Sequence, residues 1–361
     1  MASEEPRIVL VGGRERLFPT MGAVGIKDQG LCGGLCSRAL VTMVWIKSPI
    51  DLLHQRATLR VSSHQGGRIA TAMTIDVRPL NPIIGAEIWG ADLVNLTDEQ
   101  FGEIHQASVT HGVIFFRDQP RLSPEQQIAF ARRFGPVHVH PASRGTAAEY
   151  PGLMKIRTTR ETDVAAGNRW HSDVSCDEAP PSITTLQLHE IPPSGGDTLF
   201  SSMYAAYDAL SDRMKTLLDG LTAHHSGEDA YRRLFRFDNP GEASWPEANH
   251  PLVREHPESH RPALYANREF TERINDLPRL EAKALFGFLL DHAEQVAFQC
   301  RFVWSENAIA AWDNRCVQHH AVWDYWPHER RGHRVTAQGE IPIPWSGDPD
   351  AGRSENLRLS A

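Results

Sequence analysis

The sequence predicts a mainly β domain, a sandwich or barrel of short strands with flanking helices. Residues 182–188 and 197–202 have the composition of strands, and a turn segment at 192–196 separates them. Residues 298–304 alternate apolar and polar side chains, as a half-buried strand does. Two capping boxes mark the starts of helices that flank these strands.

The elements begin near residue 73. Residues 73–77 alternate as a strand, and Thr97 with Gln100 forms a capping box. The helix that starts there should end at Gly112, because glycine suits the position just after a helix. Residues 113–116 are apolar throughout and predict a buried strand.

A second helix is predicted from the capping box formed by Ser123 and Gln126. Further helices are predicted at about 203–220 and 279–293. Short strands then continue to about residue 339. Many short strands with turn signals, flanked by helices, are typical of a β-sandwich or barrel with added helices.

Composition restricts the classes of function. The chain has 361 residues, a formal net charge of −8 and 41% hydrophobic residues, which is typical of a globular protein with a sizeable core. No run approaches the ~18 apolar residues of a membrane span, and a mildly acidic chain is a poor general binder of nucleic acid. Five cysteines in this length favour a reducing compartment, so we expect a cytoplasmic protein.

The first 72 residues differ from the rest of the chain. They hold nine basic and five acidic residues and nine of the 27 glycines, with no sustained helical or strand period. We expect residues 1–72 to be a poorly ordered extension and the native protein to start at or near Met73. Residues 73–345 are then the catalytic domain, and the polar tail 346–361 is expected to be flexible.

Candidate metal ligands occur in two segments far apart in the chain. His171 and Asp173 are two residues apart, so in an extended segment both side chains lie on one face. The segment 312–320 ends in His319 and His320, and both are candidates for a third ligand. Two histidines and a carboxylate form the facial triad of non-haem Fe(II) oxygenases, which leaves coordination positions open. A polar loop without metal is the alternative for His171 and Asp173.

A third group of residues can anchor an organic acid. If the backbone is extended, Arg330 and Arg334 share one face. A guanidinium binds a carboxylate bidentately, and the Thr198 hydroxyl can donate to the same carboxylate. This anchor suits a 2-oxoacid that chelates iron through its C1 carboxylate and keto oxygen. A solvated strand face is the alternative for the two arginines.

Together these motifs resemble the taurine dioxygenase / 2,4-dichlorophenoxyacetate dioxygenase (TauD/TfdA) family of Fe(II)- and 2-oxoglutarate-dependent enzymes. The resemblance covers about residues 74–342 and depends on the order and spacing of several motifs. These motifs are 171–173, 195–200, 312–319, 330–334 and, nearer the N-terminus, 84–93, 116–119 and 134–135.

The resemblance implies a double-stranded β-helix, a cupin-like jelly roll, as the core. It also implies that His171, Asp173 and His319 bind Fe(II). His320 remains the alternative to His319, although adjacent strand residues face opposite ways. A Zn²⁺ hydrolase could use the same two histidines and aspartate with a metal-bound water, but such an enzyme has no need of an arginine anchor.

The resemblance further implies that Arg330 and Thr198 bind the far carboxylate of 2-oxoglutarate. Arg334 then either supports that carboxylate or meets the anionic group of the substrate. The expected reaction consumes O₂ and 2-oxoglutarate, hydroxylates a small organic anion and releases succinate and CO₂. By analogy with the family, a homodimer or homotetramer is expected.

The residues around the expected substrate site favour an anion other than taurine. His140 matches the family's sulfonate-binding histidine, and Phe270 matches an aromatic residue of the pocket. Ser143 stands where the family has a tyrosine, and a pocket asparagine falls at Gly167, with Asn168 beside it. The predicted substrate is therefore a bulkier sulfonate, a sulfate ester, or an aryloxy or alkyl carboxylate.

Overall fold

The structure is a computed structural model, and it describes residues 75–140, 149–235 and 245–347. The expectations for residues 1–72, for Ser143 and for the tail from residue 348 lie outside these ranges. Within the ranges, no helix has both the length and the apolar character needed to cross a membrane.

Sixteen strands and six helices make up the described part of the chain. The strands are β1 (Asp76–Pro79), β2 (Ala86–Trp89), β3 (Val113–Phe116), β4 (Val137–His138), β5 (Leu153–Thr158), β6 (Ile183–Glu190), β7 (Thr198–Ser202), β8 (Thr222–Ser226), β9 (Glu247–Pro251), β10 (Val253–Glu255), β11 (Pro262–Leu264), β12 (Thr271–Ile274), β13 (Gln299–Phe302), β14 (Ile309–Asp313), β15 (Val317–Ala321) and β16 (Arg330–Ala337). The helices are α1 (Asp98–His111), α2 (Pro124–Arg132), α3 (Met203–Asp208), α4 (Asp212–Leu218), α5 (Glu228–Phe235) and α6 (Arg279–Ala293).

Two of the sheets form the jelly roll. The larger has the order β1-β2-β3-β14-β6-β16-β4, with β5 also paired to β16, and the smaller has the order β13-β7-β15. Aromatic side chains fill the space between them. Phe115 of the large sheet stacks on Phe302 of the small sheet with 4.1 Å between ring centroids, and Phe200 lies 5.6 Å from Trp312. The mainly β jelly roll predicted from the sequence is therefore confirmed.

The central strands of the large sheet are buried on both faces. In β3, Val113 and Phe115 pack into the core shared with the small sheet, whereas Ile114 and Phe116 pack on the opposite side with Ile104 of α1. Successive strand residues point to opposite faces, so a strand between two apolar layers has no polar face. This explains the continuous apolar run at 113–116.

Both predicted capping boxes are present. The Thr97 hydroxyl accepts from the main-chain N–H of Gln100, and Gly112 ends α1 with a φ of 71°. The Ser123 hydroxyl accepts from the N–H of Gln126 at the start of α2. These signals act within one helical turn, which is why the local sequence suffices to predict them.

The predicted helix at 203–220 is two short helices, α3 and α4. The chain leaves the helical conformation at Ser211, whose hydroxyl accepts from the N–H of Met214 at 3.3 Å and caps the second helix. Serine favours this cap position over a helix interior. The helix predicted at 279–293 is α6, whereas α5 has no counterpart among the sequence predictions.

Pairing of β6 with β16 places the arginines of the predicted anchor. Arg334 lies opposite Leu186 and Gly332 opposite Leu188, with an irregularity between Arg331 and Gly332. A Cβ atom at Gly332 would lie 2.2 Å from the carbonyl oxygen of Gln187, so only glycine allows this close approach. Arg330 and Arg334 then line one cavity, as the two-residue period predicts.

Candidate active site

The two predicted metal-ligand segments meet at the edge of the small sheet. His171 follows β5 on an extended segment, and His319 lies in β15. The main-chain N–H of His171 donates to the carbonyl of His319 at 3.0 Å, and the reverse bond is 2.8 Å. Their imidazole rings are 4.0 Å apart between centroids. This bridge brings together histidines that the sequence separates widely.

The side chains of His171, Asp173 and His319 form a compact cluster of potential metal ligands. One ligand atom from each lies within 4.8 Å of the others, and all three residues are buried. Nε2 of His171 is 3.7 Å from Oδ1 of Asp173, a separation that one ion bound at about 2.1 Å from each atom can span. Nδ1 of His171 lies 2.8 Å from the carbonyl of Arg169. If Nδ1 carries the proton and donates there, the Nε2 lone pair is left for a metal.

Charge and burial set the protonation states of this cluster. Burial raises the pKa of Asp173, but the effects that lower it, led by the positive charge of Arg334, outweigh burial, so the pKa lies below its ordinary value. Burial and the neighbouring His171 hold the pKa of His319 well below its ordinary value. An ionised carboxylate and a neutral imidazole are the forms that bind a metal. The donor set therefore fits a divalent transition metal.

Other candidate ligands lie outside this cluster. His320 is partly exposed and its ring lies 5.5 Å from that of Trp170. His138 pairs with Asp177 at 2.9 Å. His256, Asp313 and Cys316 form a second buried group of potential ligands. Its carboxylate is already paired with a guanidinium, because Arg315 donates to both carboxylate oxygens of Asp313 at 2.8 and 2.7 Å. This second group is an ion-pair network within the fold.

Arg330 is a buried cation in the wall of the cavity that the cluster also lines. Its side chain is buried, and it makes no ion pair with any described carboxylate within 4.0 Å. Its Nε has no hydrogen-bond partner within the described part of the chain. Its Nη2 lies 3.5 Å from the hydroxyl oxygen of Thr198, which also accepts from Nε1 of Trp304 at 3.0 Å. Because both neighbours donate to this oxygen, the Thr198 hydrogen is left to donate elsewhere.

Arg334 contacts the other side of the cavity. Its Nη1 donates to Oδ1 of Asp173 at 2.6 Å. The two arginines share a strand face but have different partners, Thr198 for Arg330 and Asp173 for Arg334. Their positions therefore favour different functions for the two side chains.

Besides Arg334, the sequence predicts three substrate-binding residues, and two of them, His140 and Phe270, line the cavity. Phe270 lies 6.4 Å from His171 between ring centroids, and the His140 ring lies 5.7 Å from that of Tyr231. Asn168 is exposed and does not line this cavity, although Gly167 does. Its Oδ1 accepts from the main-chain N–H of Trp323 at 3.3 Å. This contact joins two loops at the edge of the site.

Sequence reasoning missed one wall of the cavity, which α5 provides through Ala230, Tyr231 and Leu234. Acidic residues in the first turn and arginines in the last turn of this segment match the helix dipole and are a signal that could have found it. Reasoning also missed Glu269, a buried carboxylate in the wall. Arg233 of α5 donates to Glu269, so this ion pair ties the helix to the loop that carries Phe270.

A jelly roll with a cluster of two histidines and an aspartate, facing a buried arginine, defines a 2-oxoglutarate-dependent dioxygenase, the class that the sequence resemblance implies. Comparison with protein families agrees: residues 76–336 match the model described as "Taurine catabolism dioxygenase TauD, TfdA family". The chain belongs to this family.

Curated relatives share most of their length with the chain. The alpha-ketoglutarate-dependent sulfate ester dioxygenase of Pseudomonas putida is 35% identical over 76% of this chain and 93% of its own length; alpha-ketoglutarate is 2-oxoglutarate. The alpha-ketoglutarate-dependent 2,4-dichlorophenoxyacetate dioxygenase of Cupriavidus pinatubonensis is also 35% identical, over 68% of this chain and 92% of its own length. These relatives confirm the dioxygenase class and give the zinc hydrolase alternative no support.

Solved structures show the same fold. A taurine dioxygenase from Burkholderia xenovorans is 31% identical and superposes with a TM-score of 0.64, covering 75% of this chain and 93% of its own. The structure of AAD-2 in complex with Mn(II) and N-oxalylglycine is 27% identical with a TM-score of 0.60, covering 76% and 100%.

Proposed function

We propose that this enzyme hydroxylates a small organic anion with an apolar body, using Fe(II) and 2-oxoglutarate. His171, Asp173 and His319 hold the metal, and Arg330 with Thr198 binds the far carboxylate of 2-oxoglutarate. Bound iron supplies O₂ activation and the oxidation of a substrate C–H bond, while 2-oxoglutarate becomes succinate and CO₂. The protein contributes the orientation of both organic molecules and a site that excludes water.

The observation that carries the proposal is the charge of Arg330, which has no carboxylate partner among the described residues. A buried guanidinium without a carboxylate partner is unfavourable for stability, and function is the usual reason for such a group. An anion that entered the cavity would receive hydrogen bonds from Arg330 and from the Thr198 hydroxyl. His171, Asp173 and His319 line the same cavity. One dicarboxylate can therefore contact both the proposed metal site and Arg330.

The cavity also supports a class of substrate. Its lining includes His140 and Arg334, which can bind an anionic group, and an apolar wall formed by Tyr231, Leu234 and Phe270. An anionic head beside the two polar residues would leave the rest of the substrate against this wall. A sulfate ester, a larger sulfonate or an aryloxy carboxylate has this shape, and relatives are named for such compounds.

A substrate panel tests this function by measuring succinate formed from 2-oxoglutarate under air with Fe(II). We expect an alkyl sulfate ester, an alkyl sulfonate or an aryloxyacetate to give turnover at least about tenfold above taurine, because one to two buried methylenes contribute about 1.4 kcal/mol. Each positive reaction is repeated without O₂, without 2-oxoglutarate and with Zn²⁺ in place of Fe(II). A clear preference for taurine would contradict the substrate class, and product formed without O₂ would contradict the reaction.

The location and the extent of the functional unit are part of the proposal. Cys176, Cys300 and Cys316 are buried cysteines, and such use of cysteine as a core residue is consistent with a reducing cytoplasm. The family match at residues 76–336 supports residues 73–345 as the catalytic unit. A homodimer or homotetramer stays an analogy with the family.

A further inference from the structure

We propose that Asn314 and Thr184 are positioning residues for Asp173, linked to it by a chain of hydrogen bonds whose direction the structure fixes. The inference depends on the proposed metal site, because it concerns how one of its ligands is oriented. Asn314 lies in the turn between β14 and β15, and Thr184 lies in β6. Both are buried.

The orientation of the Asn314 amide follows from its neighbours. Its Oδ1 lies 3.0 Å from the main-chain nitrogen of Asp173 and 3.1 Å from Nε1 of Trp312. Both of these nitrogens can only donate, so the atom between them must be the amide oxygen. The amide nitrogen consequently faces the carbonyl of Ser182 at 3.2 Å and the hydroxyl of Thr184 at 2.9 Å.

The Thr184 hydroxyl continues the chain of hydrogen bonds to Asp173 with the same donor-to-acceptor order. Its oxygen accepts from the Asn314 amide, and therefore its own hydrogen is free to donate to Oδ2 of Asp173, 2.7 Å away. Oδ2 is thereby held by Thr184. The other oxygen, Oδ1, lies 3.7 Å from Nε2 of His171 and also accepts from Nη1 of Arg334 at 2.6 Å. With Oδ2 held by Thr184, Oδ1 is the carboxylate oxygen that we infer binds the metal.

The Asn314 side chain therefore contacts Asp173 in two ways. It accepts from the main-chain N–H of Asp173, and it is linked to the carboxylate through the Thr184 hydroxyl. The same Trp312 that donates to Asn314 packs against the His319 ring, with 4.6 Å between centroids. Outer partners of this kind keep a ligand in the orientation that binding needs, and their loss typically lowers metal affinity about 10- to 100-fold. Burial strengthens the effect, because a neighbouring water cannot replace the lost donor.

Strand β6 allows a matched pair of variants. Thr184 and its neighbour Thr185 are both fully buried, and Thr185 donates to the carbonyl of Val335 at 3.1 Å, away from Asp173. Substitution by valine removes one buried hydroxyl in either case while preserving the shape. Both variants therefore lose the hydrogen bonds of a buried hydroxyl, and only Thr184→Val should change the metal site.

Mn(II) binding to the full-length protein, measured by calorimetry, tests the inference. We expect Thr184→Val to raise the Kd about 10- to 100-fold, Thr184→Ser to restore it, and Thr185→Val to leave it within about threefold. Parent-like Mn(II) affinity in a folded Thr184→Val protein would overturn the positioning function, as would an equal loss in Thr185→Val. Asp173→Asn is measured in parallel, and unchanged binding in that variant would count against the proposed metal site itself.

Discussion

The His319→Ala variant is expected to turn over 2-oxoglutarate at least about 100-fold more slowly than the parent. Loss of a residue that only hydrogen-bonds to a metal ligand already lowers metal affinity about 10- to 100-fold, and loss of the ligand itself should have at least that effect. The ring of His319 is buried beside His171 and Trp312, and alanine removes one of the three proposed protein ligands. Succinate release with excess Fe(II) measures the loss. Mn(II) affinity, measured on the same protein, should fall in parallel and separate a metal defect from a substrate defect.

His320 provides the control for this experiment. It is the same residue type one position along β15, but it is partly exposed and packs near Trp170. We expect His320→Ala to keep turnover within about threefold of the parent, since surface substitutions usually have small effects. The assignment of His319 fails if His320→Ala loses activity and metal binding while His319→Ala keeps them.

Arg330→Met is expected to raise the Kd for 2-oxoglutarate by at least about 30-fold. Removal of one partner of a buried charged hydrogen bond decreases affinity by about 2–5 kcal/mol, and methionine retains much of the length of the side chain. Binding is measured anaerobically with Mn(II) in place, so that no turnover intervenes. The same variant should be at least as thermally stable as the parent, because the unliganded protein loses a buried charge for which the described part of the chain provides no carboxylate partner.

Two other arginines of β16 are the controls. Arg331 points away from the cavity toward Glu190, and Arg331→Met should leave 2-oxoglutarate binding unchanged. Arg334 contacts Asp173, so Arg334→Met should affect the Michaelis constant of the organic substrate and Mn(II) affinity more than 2-oxoglutarate. An equal loss of 2-oxoglutarate affinity in Arg330→Met and Arg334→Met would contradict the separate functions of the two side chains.

Local signals in the sequence predicted much of the fold. The caps at Thr97 and Ser123 depend on residues within one turn, and the alternation in 298–304 depends on the strand's two-residue period. The same period placed His171 with Asp173 on one face. Bringing His319 to this pair depends on a bridge between distant segments, and the sequence supported it only through the resemblance to a family.

Other features depend on tertiary contacts that no local pattern encodes. Arg330 and Arg334 are alike in sequence and share a face, yet one meets Thr198 and the other meets Asp173. Asn168 is adjacent to the cavity-lining Gly167 but turns to the backbone of Trp323. The pair of Glu269 with Arg233 of α5 became evident only once the helix was located.

A crystal structure with Mn(II) and N-oxalylglycine, an analogue of 2-oxoglutarate, tests the central claim most directly. We expect one ion bound by Nε2 of His171, Oδ1 of Asp173 and a ring nitrogen of His319, with the far carboxylate of the analogue on Arg330 and Thr198. An ion bound elsewhere, or the far carboxylate on Arg334 with Arg330 unliganded, would contradict the proposed site.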